Sequence, residues 1–380
     1  MTEPHRPDGS TPTSGETFFI SGDQAGGRPA DSVSGGFLAP PDMPGGPAPK
    51  NRFEPVDRNE RTSELLATLR ETIDKLDRDQ VSRGDLKLLS RTLRELRYAF
   101  KVFSPFRRRR KVTIFGSART TKFEPAYEQA KAYGAAMAAE KWLVVTGAGC
   151  GIMEAGHVGA GRENSMGINI MLPFEQDANE VIRGDDKLVH MKYFFTRKLM
   201  FVKECDAVCC LPGGFGTLDE ALEVLTLLQT GKRDMVPVVL LDAPGGSFWL
   251  DFVEFIQRRQ LDARLISPED LSLLRVTDDA GEAVRETIGF FANYHSMRYV
   301  RTKLVFRLQR TPTTEQMADI NRRFADILVE GAFELHPEPL EEERDELDLL
   351  QLPRLVFRFN RRNFGRLRQL IDHLNGLPGT

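Results

Sequence analysis

Ten consecutive residues constrain the fold of this 380-residue chain most: Leu-Pro-Gly-Gly-Phe-Gly-Thr-Leu-Asp-Glu at 211–220. The apolar run before them, 207–211, reads as a buried parallel strand. The pattern after them, 221–228, is helical. Between the two, Gly213, Gly214 and Gly216 let the backbone approach a ligand closely. The start of the helix offers N–H groups without intrahelical partners at the positive end of its dipole. A strand, a glycine turn and a helix start form an anion site, most often for phosphate.

The surrounding chain repeats this design. Strands are expected at 112–115, 142–146, 166–171 and 236–241, and helices at 127–140, 152–161, 193–204 and 248–259. Such alternation predicts an α/β, Rossmann-like, doubly wound parallel sheet over residues 107–295. Ligands of such sheets bind beyond the C-terminal strand ends, where the strand order reverses. Glycine-bearing loops at 116–119, 147–151 and 212–217 fall at those ends.

Three further regions flank this domain. Residues 1–55 are rich in Gly, Pro, Ser and Asp without hydrophobic periodicity, and read as a disordered tail. Residues 56–106 read as a helical hairpin. Leu65, Leu66, Leu69, Ile73 and Leu76 stripe one arm, and Leu86, Leu89, Leu93, Leu96 and Phe100 the other. That stripe suits a buttress on the main domain or an oligomer contact. Residues 296–380 form a small α+β extension, in which 303–310 and 354–361 resemble each other as the strands of a degenerate βα repeat, or match by coincidence. Alternation there sets arginines on one face, and 338–348 reads as an acidic linker.

With 52 basic against 55 acidic residues, the chain has no global pull toward nucleic acid or anionic membrane. The basic run at 107–111 lacks interleaved aromatics and reads as a solvated linker, so nucleic acid is not an expected partner. No long uncharged apolar run suggests a membrane span, and the first residues lack a secretory h-region. Cys150, Cys205, Cys209 and Cys210 have no zinc-like spacing, so no metal is expected and a reducing, cytoplasmic setting fits.

Four segments in order resemble the LONELY GUY (LOG) family, often labelled lysine decarboxylase-like. They are Phe-Gly-Ser-Ala-Arg at 115–119, Gly-Ala-Gly-Cys-Gly-Ile-Met-Glu-Ala at 147–155, Met-Lys-Tyr-Phe-Phe-Thr-Arg-Lys-Leu-Met at 191–200, and Pro-Gly-Gly-Phe-Gly-Thr-Leu-Asp-Glu at 212–220. A fifth, 167–176, is typical of the longer LOG branch. The ordered set is far more specific than any one member, and it covers roughly half the chain. Alone, the 147–151 loop departs from the dinucleotide pattern Gly-x-Gly-x-x-Gly.

The resemblance implies a nucleoside 5′-monophosphate phosphoribohydrolase without metal or redox cofactor, acting as a homodimer or higher homo-oligomer. It implies that Arg197 and Glu220 are catalytic. It assigns nucleotide or phosphate binding to Gly116, Ser117, Gly147, Gly149, Gly151, Glu154, Lys198, Gly213, Gly214, Gly216 and Thr217. The substrate would be AMP or a cytokinin riboside 5′-monophosphate. The alternative is a non-catalytic nucleotide or molybdenum-cofactor carrier, or a nucleotide sensor, on the same fold. No lysine context suits a pyridoxal-phosphate Schiff base.

The chemistry suits those residue types. Cleaving an N-glycosidic bond builds positive charge on the ribose, which a fixed carboxylate stabilises while orienting the attacking water. An arginine fork can hold the phosphate or assist departure of the base. A competing role exists for Glu220. Thr217-x-x-Glu220 is also a capping-box spacing with no function beyond the cap; either role puts Glu220 at the third helical position, reaching back over the helix start where the phosphate would lie.

Overall fold

The computed structural model describes residues 60–171, 177–343 and 346–378. The tail expected at 1–55 and the end of the 167–176 segment lie outside them. Two helices come first, α1 (Glu60–Arg78) and α2 (Arg83–Phe103). Ser82 caps α2, its hydroxyl accepting the Asp85 N–H at 3.2 Å. Ala99 and Phe103 at the far end of α2 enter the core, whereas Leu65, Leu69 and Ile73 of α1 and Leu86, Leu89 and Leu93 of α2 stay exposed.

The chain then alternates: β1 (Lys111–Phe115), α3 (Pro125–Ala139), β2 (Leu143–Thr146), α4 (Ile152–Ala160), β3 (Ser165–Ile170), β4 (Leu188–Met191), α5 (Phe194–Glu204), β5 (Ala207–Cys210), α6 (Phe215–Gln229), β6 (Val238–Leu241), α7 (Phe248–Ile256), β7 (Arg275–Thr277) and α8 (Ala280–Gly289). The seven strands are parallel in the order β4-β3-β2-β1-β5-β6-β7. β1, β2, β3, β5 and β6 are buried along their whole length, as apolar runs in a two-sided sheet must be. Strand order reverses between β1 and β5, which sets the loop after β1 beside the loop after β5.

A second sheet follows, from β8 (Tyr294–Val300), β9 (Lys303–Leu308), α9 (Thr314–Phe324), β10 (Glu334–His336), β11 (Arg354–Phe357) and α10 (Phe364–Gly376). Its strands are antiparallel in the order β10-β11-β9-β8. The similar segments at 303–310 and 354–361 supply the adjacent strands β9 and β11, each followed by a helix. Leu304, Phe306, Leu355 and Phe357 pack toward α9 and α10 in a hydrophobic core shared with Trp249, Val238 and Leu240.

The other face of that sheet corrects the reading of 338–348 as a linker. Leu340 covers Val305 and Val356, and Glu343 is fully buried between Arg307 and Arg354. The arginines do share a face, but a covered one, because this acidic stretch folds back over it.

Candidate active site

Ser117 ties the three glycine loops together. Its N–H donates to the Pro212 carbonyl at 3.2 Å, and its own carbonyl accepts the Ile152 N–H at 3.0 Å. The loops after β1, β2 and β5 therefore meet at the reversal of strand order, where the topology calls for a ligand cleft.

The glycines divide into two kinds. Gly151 has φ +64°, and a Cβ there would lie 2.3 Å from the Ser117 carbonyl oxygen. At Gly213 a Cβ would lie 2.2 Å from the Thr217 hydroxyl oxygen, and at Gly116 it would meet Ile152 at 2.5 Å. These three are required by loop packing alone. Gly147 and Gly149 lie against the Met153 side chain. Gly214 and Gly216 face open space. Only these two leave backbone free for an external group.

The start of α6 corrects the expected third helical position of Glu220, on which both the capping box and the reach back over the phosphate rested. Gly214 is the N-cap and Phe215 the first helical residue; the Gly214 carbonyl accepts the N–H of Thr217 at 3.0 Å and of Leu218 at 3.2 Å. Thr217 is thus the third helical residue and Glu220 the sixth, and no side chain caps the helix. The first N–H groups of α6 point out of the helix end, uncapped and without an acidic neighbour in the first turn.

Glu220 does not spend its carboxylate on the backbone. It is 6% exposed, and its Oε2 has no hydrogen-bond partner. Burial pushes its pKa up to about 7, against the pull of Lys198 and Arg197 and with the push of Asp219 and Glu223. Arg197, on α5, has a buried Nε that is likewise unpartnered. Its guanidinium carbon stands 4.8 Å from the Phe194 ring centre and 5.8 Å from that of Phe201. A Cβ on Gly147 would stand 3.7 Å from its Nη1, so α5 delivers it to the β2 loop. Burial lowers the Arg197 pKa and the charge of Glu220 raises it. The two attract without forming a direct ion pair.

Lys198 turns instead to α6, 2.7 Å from Asp219 and 2.8 Å from Glu223. It braces α5 against α6 and keeps a cation near Glu220. Glu154, the third residue of α4, pairs with Lys122 at 3.0 Å. Cys150 is exposed at the tip of the β2 loop, and Cys205, Cys209 and Cys210 are buried and free. Among the described residues no His, Cys, Asp and Glu cluster suits a metal ion, and no helix is long and apolar enough to cross a membrane.

Residues that sequence motifs did not single out hold this cleft in shape. His157 is fully buried, and its Nε2 lies 3.0 Å from the Met166 carbonyl and 3.1 Å from the Thr146 hydroxyl. Its Nδ1 faces the Asn179 amide at 3.2 Å, and that amide donates to the Gly149 carbonyl at 3.0 Å. Burial lowers the His157 pKa to about 4, so it is a neutral brace for the β2 loop. Glu95 of α2 is also buried and bonded to the start of α5.

The family model described as "Possible lysine decarboxylase" matches residues 151–287. The cytokinin riboside 5′-monophosphate phosphoribohydrolase of Mycobacterium tuberculosis is 30% identical over 181 residues, 46% of this chain and 91% of that protein. An Arabidopsis thaliana protein of the same description is 35% identical over 114 residues, 30% of this chain. Of that plant relative the chain matches 50% of the length. Among solved structures, the molybdenum cofactor binding protein from Rippkaea orientalis is similar with a TM-score of 0.33 and 18% identity, covering 47% of this chain and 94% of that one.

Proposed function

The chain belongs to the LOG family, and from that premise we propose that it hydrolyses nucleoside 5′-monophosphates to free base and ribose 5-phosphate. AMP or an N6-modified adenine nucleotide, such as a cytokinin riboside 5′-monophosphate, is the substrate. One observation carries this reading: Glu220 Oε2 and Arg197 Nε are both buried and unpartnered beside the uncapped, glycine-flanked start of α6. Buried polar atoms are nearly always satisfied, so a pair of orphans in a cleft calls for a ligand.

The 5′-phosphate sits over the free N–H groups at the start of α6, where Gly214 and Gly216 leave room. Anchored there, the nucleotide brings its ribose toward Glu220. The ionised carboxylate stabilises the charge that grows on the sugar and orients a water. The water oxygen bonds to the anomeric carbon, the base leaves with the bonding pair, and the proton that the water loses ends on the base. Arg197 supplies a fixed cation for the phosphate or the departing base. The reaction needs no metal or redox cofactor.

Exposed Phe194, Phe195 and Leu199 on α5 favour a homo-oligomer with the cleft near its interface. Unpaired buried thiols suit a cytoplasmic enzyme.

The test is incubation with AMP and with isopentenyladenosine 5′-monophosphate, followed by chromatography for released base. Release by the wild type and its loss in Glu220→Ala and Arg197→Ala support the reading. Tight binding without release, unaltered in both variants, favours the carrier or sensor instead. The paired acid and arginine argue against that second reading, since a carrier requires the phosphate loop but not both.

A further inference from the structure

Arg197 lies in the first half of α5, and that half is poorly anchored by its own sequence. Phe194, Phe195 and Leu199 are exposed, whereas Met200 and Phe201 of the second half enter the core. The N-cap residue Tyr193 makes no side-chain cap bond. A brace for this turn comes from 97 residues upstream. Glu95 Oε1 accepts the Lys192 N–H at 2.9 Å, and Glu95 Oε2, at 2.9 Å, shares the Thr196 hydroxyl with the Tyr193 carbonyl at 2.8 Å.

This carboxylate is built into place. Glu95 is 5% exposed, and Arg91 one turn earlier donates its Nε–H to Oε1 at 2.7 Å. Ala99 and Phe103 fix the same helix to the core. A negative group at the positive end of α5 is favourable, and more so when desolvated. Thr196 is fully buried and adjacent in sequence to Arg197.

We propose that Glu95 is a positioning residue for the active site: through Lys192 and Thr196 it seats the start of α5 and so fixes the Arg197 guanidinium in the cleft. Helix α2 thereby becomes part of the working enzyme rather than an appendage. This inference rests on the hydrolase reading for its activity assay, and it makes a prediction that stands without that assay.

With AMP as substrate, Glu95→Ala is expected to lower kcat by about 100-fold with KM within about threefold, as a misplaced group does. Glu95→Gln keeps an acceptor for the Lys192 N–H and is expected to rescue kcat to within about fivefold of wild type. Thr196→Val, which keeps the buried volume, is expected to fall between them, and it carries the test if Glu95→Ala does not fold. A kcat unchanged in folded Glu95→Ala or in Thr196→Val overturns the proposal, as does equal loss in Glu95→Gln and Glu95→Ala.

If the wild type releases no base, the hydrolase reading fails and the positioning claim is read from Glu220. Its side-chain carbon, followed by NMR against pH, is expected to titrate higher in Thr196→Val, because Arg197 no longer stands beside it. An unshifted midpoint would refute the claim.

Discussion

Glu220 and Glu343 are both buried glutamates, yet their surroundings are opposite. Under the second sheet, Glu343 accepts Arg307 Nε–H at 2.8 Å and Arg354 Nε–H at 3.3 Å. Arg354 spends further donors on the carbonyls of Leu349 and Leu350. Burial alone would raise the Glu343 pKa, but the two guanidinium groups hold it below the usual carboxylate value. In the parallel-sheet cleft, Glu220 has cations nearby but no donor on Oε2, and burial wins. A satisfied buried acid is a staple. An unsatisfied one, held beside an open helix start, is what the proposed hydrolysis draws on.

Exchanging function for stability should separate the two. Glu220→Ala is expected to lower AMP cleavage by about 1,000-fold, in the range of losing one charge-stabilising group, with no loss of thermal stability. Glu343→Ala leaves Arg354 buried without an acid and Arg307 with Glu346 alone, and should cost about 3–5 kcal/mol in denaturant unfolding. Equal effects of both variants on stability would dissolve the distinction.

The pH dependences should also run in opposite senses. The folded-state pKa of Glu220, about 7, is above its ordinary 4.5. The folded chain therefore keeps a proton that the unfolded chain has lost, and its contribution to stability falls as pH rises from 4.5 to about 7. Glu220→Gln is thus expected to gain stability over wild type across that window, by on the order of 1–3 kcal/mol at pH 8. Glu343, with a lowered pKa, stabilises above the unfolded value and loses that contribution as pH falls through the folded one. Urea titrations at pH 5 and pH 8 on Glu220→Gln, and at pH 3 and pH 5 on Glu343→Ala, each against wild type, measure the two signs.

The smallest effect sharpens the division among glycines. Gly216→Ala enters open space in the first turn of α6 and should change stability by less than about 1 kcal/mol, yet weaken nucleotide binding in calorimetry. Gly151→Ala, at positive φ against the Ser117 carbonyl, should lose stability instead.

The parallel sheet and its three glycine loops were legible in the sequence because apolar strand runs and glycine turns are local signals. The short edge strands β4 and β7 were not: exposed His190 and Arg275 break their apolar runs. The spacing of Thr217 and Glu220 fits a cap, but the turn at Gly214 starts the helix earlier, a choice set by the loop's packing on Ser117. Glu343 was lost in an acidic run because its partner Arg307 lies 36 residues away. Glu95 was lost for the same reason. Long-range pairing of charges leaves no periodic mark.

In the proposed hydrolysis Glu220 waits, half-charged near neutrality, for a nucleotide sugar. The most direct measurement is the rate of adenine release from AMP against pH, in wild type and Glu220→Gln. A rate that rises through about pH 7 in wild type and is flat and at least about 100-fold lower in the variant is the predicted result. Equal release by both, or a wild-type rate indifferent to pH across that range, would contradict it.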